Sequence, residues 1–154
     1  MATPPLIYVL NGPNLNLLGL REPEIYGSDT LDDIAERLEE KARAIGVTLE
    51  IRQSNHEGHL IDWLHEARLK GAKAAILNAG AFTHTSVALH DAVKAIALPV
   101  IEVHLSNPQA REAFRHHSYV SLRADGVIAG FGVQGYALAV RRLAKLIGDA
   151  GAKP

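Results

Sequence analysis

The chain has no cysteine among its 154 residues. Disulfides and thiolate metal sites are excluded, and the composition fits a reducing compartment without demanding one. It also lacks an excess of either charge: 16 Lys and Arg against 17 Asp and Glu leave a formal net charge of −1. A protein that grips a phosphate backbone needs a basic face, so nucleic acid is not an expected partner. Long hydrophobic runs are missing too. Met1-Ala2-Thr3-Pro4-Pro5 carries no positive charge cluster and leads into only five apolar residues. That is too short for a signal segment or a membrane span, so the expected address is cytoplasmic, with no membrane partner. No linker, repeat or low-complexity block divides the chain. What is present, 47% hydrophobic and 21% charged residues, suits a single domain over 1–154 with one well-buried core.

Short apolar runs alternate with helical periodicity from end to end. Residues 6–10 form a continuous apolar run, as in a strand buried on both faces. Thr30-Leu31-Asp32-Asp33 resembles a capping box. After it, Leu31, Ile34, Leu38, Ala42 and Ile45 share one helical face, and Gly46 stands where a terminating glycine belongs. Residues 47–51 are the second strand. Leu60, Ile61, Leu64 and Ala67 mark a second helix ending near Gly71, and 74–77 the third strand. A third helix is expected over 87–97 and a fourth strand over 99–104. Asn107-Pro108 offers an N-cap and an N1 proline for a short helix to about Arg115. A fifth strand, bent or interrupted, is expected from 119–121 and 126–129. Tyr136, Val140, Leu143 and Ile147 line the last helix, before a loose tail at 149–154. Five strands with intervening helices predict a three-layer α/β sandwich. The flavodoxin-like order 2-1-3-4-5 is the expected arrangement, although periodicity alone does not separate it from a Rossmann order.

Three of the apolar runs break off into polar tips. The first ends in Asn11-Gly12-Pro13-Asn14-Leu15-Asn16. The second runs into Asn78-Ala79-Gly80-Ala81-Phe82-Thr83-His84-Thr85-Ser86, the third into Glu102-Val103-His104-Leu105-Ser106-Asn107. Ligands of open parallel sheets bind outside the carboxyl ends of the strands. Here those ends carry amides, imidazoles, hydroxyls and a carboxylate, groups that orient a polyhydroxylated ligand and move protons.

A competing signal is Gly130-Phe131-Gly132-Val133-Gln134-Gly135, which spells the dinucleotide fingerprint G-x-G-x-x-G between a strand and a helix. Only nineteen residues follow Gly135, enough for one helix and a tail. The strand that should end in a ribose-binding acid has no place, so these glycines read better as a tight turn with close packing.

Glu102 and His104 stand two apart on a strand and point to the same side, toward the crevice. The spacing fits a core histidine with its carboxylate, an acid–base pair, or, with His84, a metal site. It follows no known zinc pattern, and eight scattered histidines make chance proximity ordinary; no metal is expected. Asn78 and His84 share the tip of the third strand, where Thr85 or Ser86 reads as a helix cap. Asp91 falls roughly on the helix face of His84 and Ala88, and pattern alone makes it a solvated charge. Arg111 and Arg115 are an i,i+4 pair. One could reach back to clamp a carboxylate, but for Arg111 the surface reading is preferred. Residues 15–27 are long for an α/β connection, as lids often are, and carry Arg21 and Tyr26. Forming tyrosinate at neutral pH costs roughly 4 kcal/mol. A desolvated arginine nearby favours the phenolate by one to a few pKa units, so Tyr26 could serve as a general base.

Taken together, residues 11–16, Arg21-Glu22-Pro23 with Tyr26-Gly27, Asn78-Ala79-Gly80 with residues 83–86, residues 102–107 and Arg115-His116-His117-Ser118 resemble type II 3-dehydroquinate dehydratase. The five motifs occur in the family's order across about 6–146, with no departure at a position the family uses for chemistry. The resemblance implies dehydration of 3-dehydroquinate to 3-dehydroshikimate, in the shikimate pathway to chorismate and the aromatic amino acids. It implies an anti elimination through an enol or enolate, with no cofactor and no metal. Tyr26 would be the base, Arg21 the stabiliser of its phenolate, His104 the general acid, Glu102 its orienting carboxylate, and Asn14 a holder of water at the enolate oxygen. Asn78, His84, Ser106 and the backbone at Leu105 would bind hydroxyls and carboxylate, with Arg115 at the rim. It further implies a homododecamer, a tetramer of trimers, in which Asp91 enters a neighbouring subunit's site. The Schiff-base route to the same product is disfavoured, because none of the six lysines lies at a strand tip. The alternative from another class is a flavodoxin-like nucleotide-binding module that uses the Gly130–Gly135 turn.

Overall fold

Strand β1 (Leu6–Asn11) pairs in parallel with both β2 (Thr48–Gln53) and β3 (Ala74–Asn78). Then β3 pairs with β4 (Val100–His104), and β4 with β5 (Gly126–Ala129). The sheet order is therefore 2-1-3-4-5, as expected from the sequence. The computed structural model describes residues 3–152; the side chains of Ile25, Tyr26 and Ala152 lie outside that description.

Alternation along the strands divides the core into two layers. Ile7 and Val9 of β1 face α2 (Leu31–Ala44) and α5 (Gln134–Ala152), where Leu38, Val140 and Leu143 are buried. Tyr8 and Leu10 face α3 (Glu57–Leu69) and α4 (Val87–Ile96), against Leu60, Leu64 and Leu89. Burying a leucine fully is worth about 1.5–3 kcal/mol, so either layer alone contributes strongly to the fold. Helix ends follow local chemistry. Thr30 and Asp33 exchange side chain-to-backbone hydrogen bonds of 3.1 Å in a capping box, and Ser86 caps α4 through Leu89 N at 2.9 Å. None of the described helices is long and apolar enough to cross a membrane.

Four local expectations are corrected. Ile45, assigned to the buried face of α2, is 44% exposed because the helix has ended and the backbone has turned away. The helix expected after Asn107 is two separate 3-10 turns, Pro108–Ala110 and Ala113–Arg115, since Arg111 is extended between them. Residues 119–121 form turns rather than strand. Their backbone is bonded elsewhere: Tyr119 N donates to the Thr83 carbonyl (2.9 Å), and Ser121 N to Ser118 Oγ (3.0 Å). Finally, α5 stays helical to Ala152 where a loose tail was expected from 149. The segment 15–27 also contains regular structure, a 3-10 turn at Leu15–Leu17 and the short helix α1 (Pro23–Tyr26).

Candidate active site

The crevice opens where the chain leaves β1 and β3 in opposite directions. Asn11 and Asn78 lie side by side in register at those tips, and Gly12 N donates to the Asn78 carbonyl at 2.8 Å. The two loops then cross so closely that a Cβ on Gly12 would lie 2.4 Å from the Ala79 oxygen. Only glycine permits that approach. Beyond the crossing lies a cleft of about 220 Å³.

Beneath the cleft, Tyr136 at the start of α5 reaches up between the strand tips. Its hydroxyl donates to Asn11 Oδ1 at 2.5 Å and accepts from Asn78 Nδ2 at 3.0 Å. Asn78 Oδ1 accepts from Gly80 N at 3.3 Å. Burial pushes the Tyr136 phenol well above its ordinary pKa, against the opposing bond from Asn78, so it remains a neutral donor. The amide of Asn78 is thereby held at the cleft wall by partners on both of its polar atoms.

The strand geometry expected for Glu102 and His104 holds for the pair but not for their shared exposure. His104 lines the cleft; Glu102 is 1% exposed behind it, hydrogen-bonded to His104 Nε2. Two further donors complete the carboxylate: Ser118 Oγ to Oε2 at 2.9 Å and Ser121 Oγ to Oε1 at 2.5 Å. Burial alone would raise the Glu102 pKa. The bonds from His104, Ser121 and Ser118, with the imidazole's charge, outweigh it and hold the carboxyl below the usual glutamate value. His84 stacks beside His104 with ring centroids 6.4 Å apart and donates from Nδ1 to the His117 carbonyl at 2.8 Å. Since that carbonyl only accepts, Nε2 of neutral His84 is left as an acceptor.

Asn14, Arg21, Leu105, Ser106 and Arg115 join Asn78, His84 and His104 around the cleft. Asn14 adopts a left-handed conformation (φ 70°), steadied by its N–H to Asn55 Oδ1 at 3.0 Å. Arg21 pairs with Glu22 at 3.5 Å, and Arg115 with Glu112 at 2.9 Å. Arg111, preferred as a surface residue, instead lines the cleft and reaches Ser106 Oγ at 3.4 Å. Three guanidiniums and two imidazoles thus surround a cavity with no carboxylate among its described lining residues. Such a wall suits an anionic, hydroxylated small molecule.

Two candidates are not brought into this cluster. Asp91 is exposed on α4 and does not line the cleft of its own chain. The Tyr26 side chain lies outside the described residues, although its backbone closes α1 near the rim-lining Arg21. Among the described residues, no group of three or more His, Asp or Glu side chains is placed to hold a metal ion. At the glycine motif, Gly130 and Gly132 have φ of 86° and 60°, and their N–H groups donate to the carbonyls of His104 and Leu105. The turn fastens the tip of β4, and no strand follows α5 among the described residues.

Sequence reasoning missed Tyr136, Ser118 and Ser121 as site residues. A tyrosine on an apolar helical stripe was a usable signal, since a buried hydroxyl requires a partner. Ser118 stood in the Arg115-His116-His117-Ser118 motif without a role of its own, and Ser121 gave no signal. Both contacts depend on a turn that local pattern did not predict.

Residues 5–144 match the family model described as "Dehydroquinase class II". The chain belongs to the class II dehydroquinase family. It is an enzyme, a hydro-lyase. It is 62% identical over 141 residues to the 3-dehydroquinate dehydratase of Streptomyces avermitilis, covering 91% of this chain and 88% of that one. Identity to the 3-dehydroquinate dehydratase of Caulobacter vibrioides is 59%, over 92% of this chain and 96% of that one. The type II dehydroquinase structure from Propionibacterium acnes superposes with a TM-score of 0.88 at 46% identity, covering 94% and 98% of the two chains.

Proposed function

We propose that this chain converts 3-dehydroquinate to 3-dehydroshikimate and water, the dehydration step of the shikimate pathway. The observation that carries the proposal is the carboxylate-held imidazole of His104 opening into a small cleft ringed by guanidiniums. Tyr26, as phenolate stabilised by Arg21, removes a proton from the carbon beside the ketone. The electron pair moves onto the ketone oxygen as an enolate, steadied by a water on Asn14. As the carbonyl re-forms, the carbon–oxygen bond at the β-carbon breaks. With Nε2 engaged by Glu102, His104 delivers the proton to the departing hydroxyl from Nδ1. The hydroxyl leaves as water with the His104 proton, and the product is a conjugated enone. The abstracted proton remains on Tyr26 until exchange through solvent restores phenolate and imidazolium.

Asn78, His84, Ser106 and the Leu105 backbone bind the substrate's hydroxyls and carboxylate, with Arg115 at the rim. Residues 15–27 close over it as a lid. The same reading makes the enzyme a cytoplasmic homododecamer, a tetramer of trimers, in which exposed Asp91 of α4 enters a neighbour's site. Enone formation is followed directly by ultraviolet absorbance when pure protein meets 3-dehydroquinate. Tyr26→Phe keeps the ring and removes the titrating hydroxyl, so turnover falls by at least about 10²-fold, the low end for loss of a general base. Near-normal turnover in a folded Tyr26→Phe protein rejects the assignment; no enone from the parent rejects the function.

A further inference from the structure

The Glu102 carboxylate receives more than the histidine. Ser118 and Ser121 each place a hydroxyl on it, one per oxygen, from a segment that crosses the outside of the β3 and β4 tips. That segment is fastened along its length. The His117 carbonyl accepts a hydrogen bond from His84 Nδ1 (2.8 Å), and Tyr119 N donates to the Thr83 carbonyl (2.9 Å). The Tyr119 carbonyl accepts from His90 Nδ1 (2.8 Å). Ser118 Oγ also accepts Ser121 N at 3.0 Å, so its own proton is committed to Glu102. Both hydroxyls therefore act as donors to one buried carboxylate.

We propose that Ser118 and Ser121 are positioning residues for the acid: they hold Glu102 in one orientation as an anion and set how readily the Glu102–His104 pair releases its proton to substrate. The inference rests on the reading of His104 as the acid. Its physical basis is competition for one negative charge. A carboxylate bonded by two hydroxyls spends part of its charge on them and binds the imidazole's proton less tightly. Without them the pair retains its proton to higher pH and becomes a weaker acid. The other charged or titratable groups facing the pair are His84 beside His104, and Arg21, Arg111 and Arg115 across the cleft; all are present unchanged in every variant compared. Leu77 and Val127, the strand neighbours of Glu102, carry no charge.

The test compares the parent with Ser118→Ala, Ser121→Ala, Ser121→Thr and Ser121→Cys. The first readout is the titration of His104 by NMR on protein labelled with 15N-histidine, its signal assigned by its loss in His104→Gln. Each alanine variant should move the pair's midpoint up by about one pH unit. Threonine should restore the parent value, and cysteine, a weak donor of similar size, should fall between. The second readout is kcat against pH with 3-dehydroquinate. The alkaline limb should move the same way and kcat should fall about tenfold with KM little changed. A structural role alone would lower the folded fraction without moving either midpoint. An unmoved His104 midpoint in folded Ser118→Ala and Ser121→Ala overturns the proposal; if both alanine variants fail to fold, equal midpoints in parent and Ser121→Cys overturn it. The NMR arm does not depend on turnover. A parent inactive on 3-dehydroquinate with shifted midpoints therefore rejects the proposed reaction and leaves the hydroxyls' effect on the pair standing.

Discussion

Replacing Tyr136 by Phe removes one oxygen atom and no packing surface, and its effect can be worked out from three side chains. The hydroxyl donates to Asn11 Oδ1 and accepts from Asn78 Nδ2, and those asparagines are 1% and 3% exposed. Two neutral hydrogen bonds are worth about 1 kcal/mol each, and a buried acceptor left without a donor costs about 1–3 kcal/mol. Asn11 Nδ2 keeps its bond to the Arg52 carbonyl at 3.3 Å, so the side chain cannot freely turn to find another donor. The expected loss is about 3 kcal/mol, or roughly 6–12 °C in Tm for a chain of this length. Urea unfolding at one fixed protein concentration measures it, as a lower midpoint with an unchanged slope. Because Asn78 lines the cleft, kcat/KM should fall by about tenfold as its amide loses one of its two anchors. A loss under 1 kcal/mol refutes the network's energetic role. A full loss of stability with unchanged kinetics shows that the network fastens the core without positioning Asn78.

Gly12→Ala forces a Cβ to within 2.4 Å of the Ala79 oxygen. The loops after β1 and β3 must part, with activity lost before the fold, a difference that circular dichroism and the enone assay separate. The folded pKa of Glu102 is depressed, so its contribution to stability is complete above the unfolded value of about 4.3 and is lost as pH falls through the folded one. Unfolding midpoints taken from pH 6 downward should therefore fall less steeply in Glu102→Gln than in the parent; parallel curves contradict this. For the shared site, Tyr26→Phe and Asp91→Ala, each assembled and weakly active alone, are unfolded and refolded together with different tags. Mixed oligomers should exceed the summed activity of the parents, and verified mixing without gain rejects a site built from two chains.

The succession of strands and helices was legible because most strands are short apolar runs bounded by turn or cap residues and each helix carries one stripe. The order within the sheet, which periodicity leaves open, is fixed by the strand pairings. The glycine motif is a turn in which the Gly130 and Gly132 N–H groups hold the carbonyls of His104 and Leu105, contacts that the motif's spelling does not carry. The cleft wall was legible where it is built from strand tips: His104, Asn78 and Ser106, which line it, stand where an apolar run stops. What stayed hidden depends on distant contacts. Arg111 looked superficial because the helix expected to carry it does not form. Its extended backbone between two 3-10 turns brings the guanidinium to the cleft instead. Ser118 and Ser121 lie in turns set by bonds to Thr83 and Glu102, which no local window contains.

The turn that leads into α5, with the helix's first residues, touches both halves of the cleft. Gly130 and Gly132 hold the carbonyls of His104 and Leu105, and Tyr136 holds the amides beneath Asn78. The bond from Tyr136 to Asn11 closes a loop of 125 residues. During synthesis, therefore, the strands that carry His104 and Asn78 emerge long before the segment that locks their tips. A nascent chain still lacking α5 can pair β1 to β4 and bury much of one core layer, yet its strand tips have no common fastening. A chain truncated before residue 130 should therefore lose the bonds that fasten the tips of β1, β3 and β4, and the enone assay should show no turnover even where circular dichroism shows that much of the sheet survives.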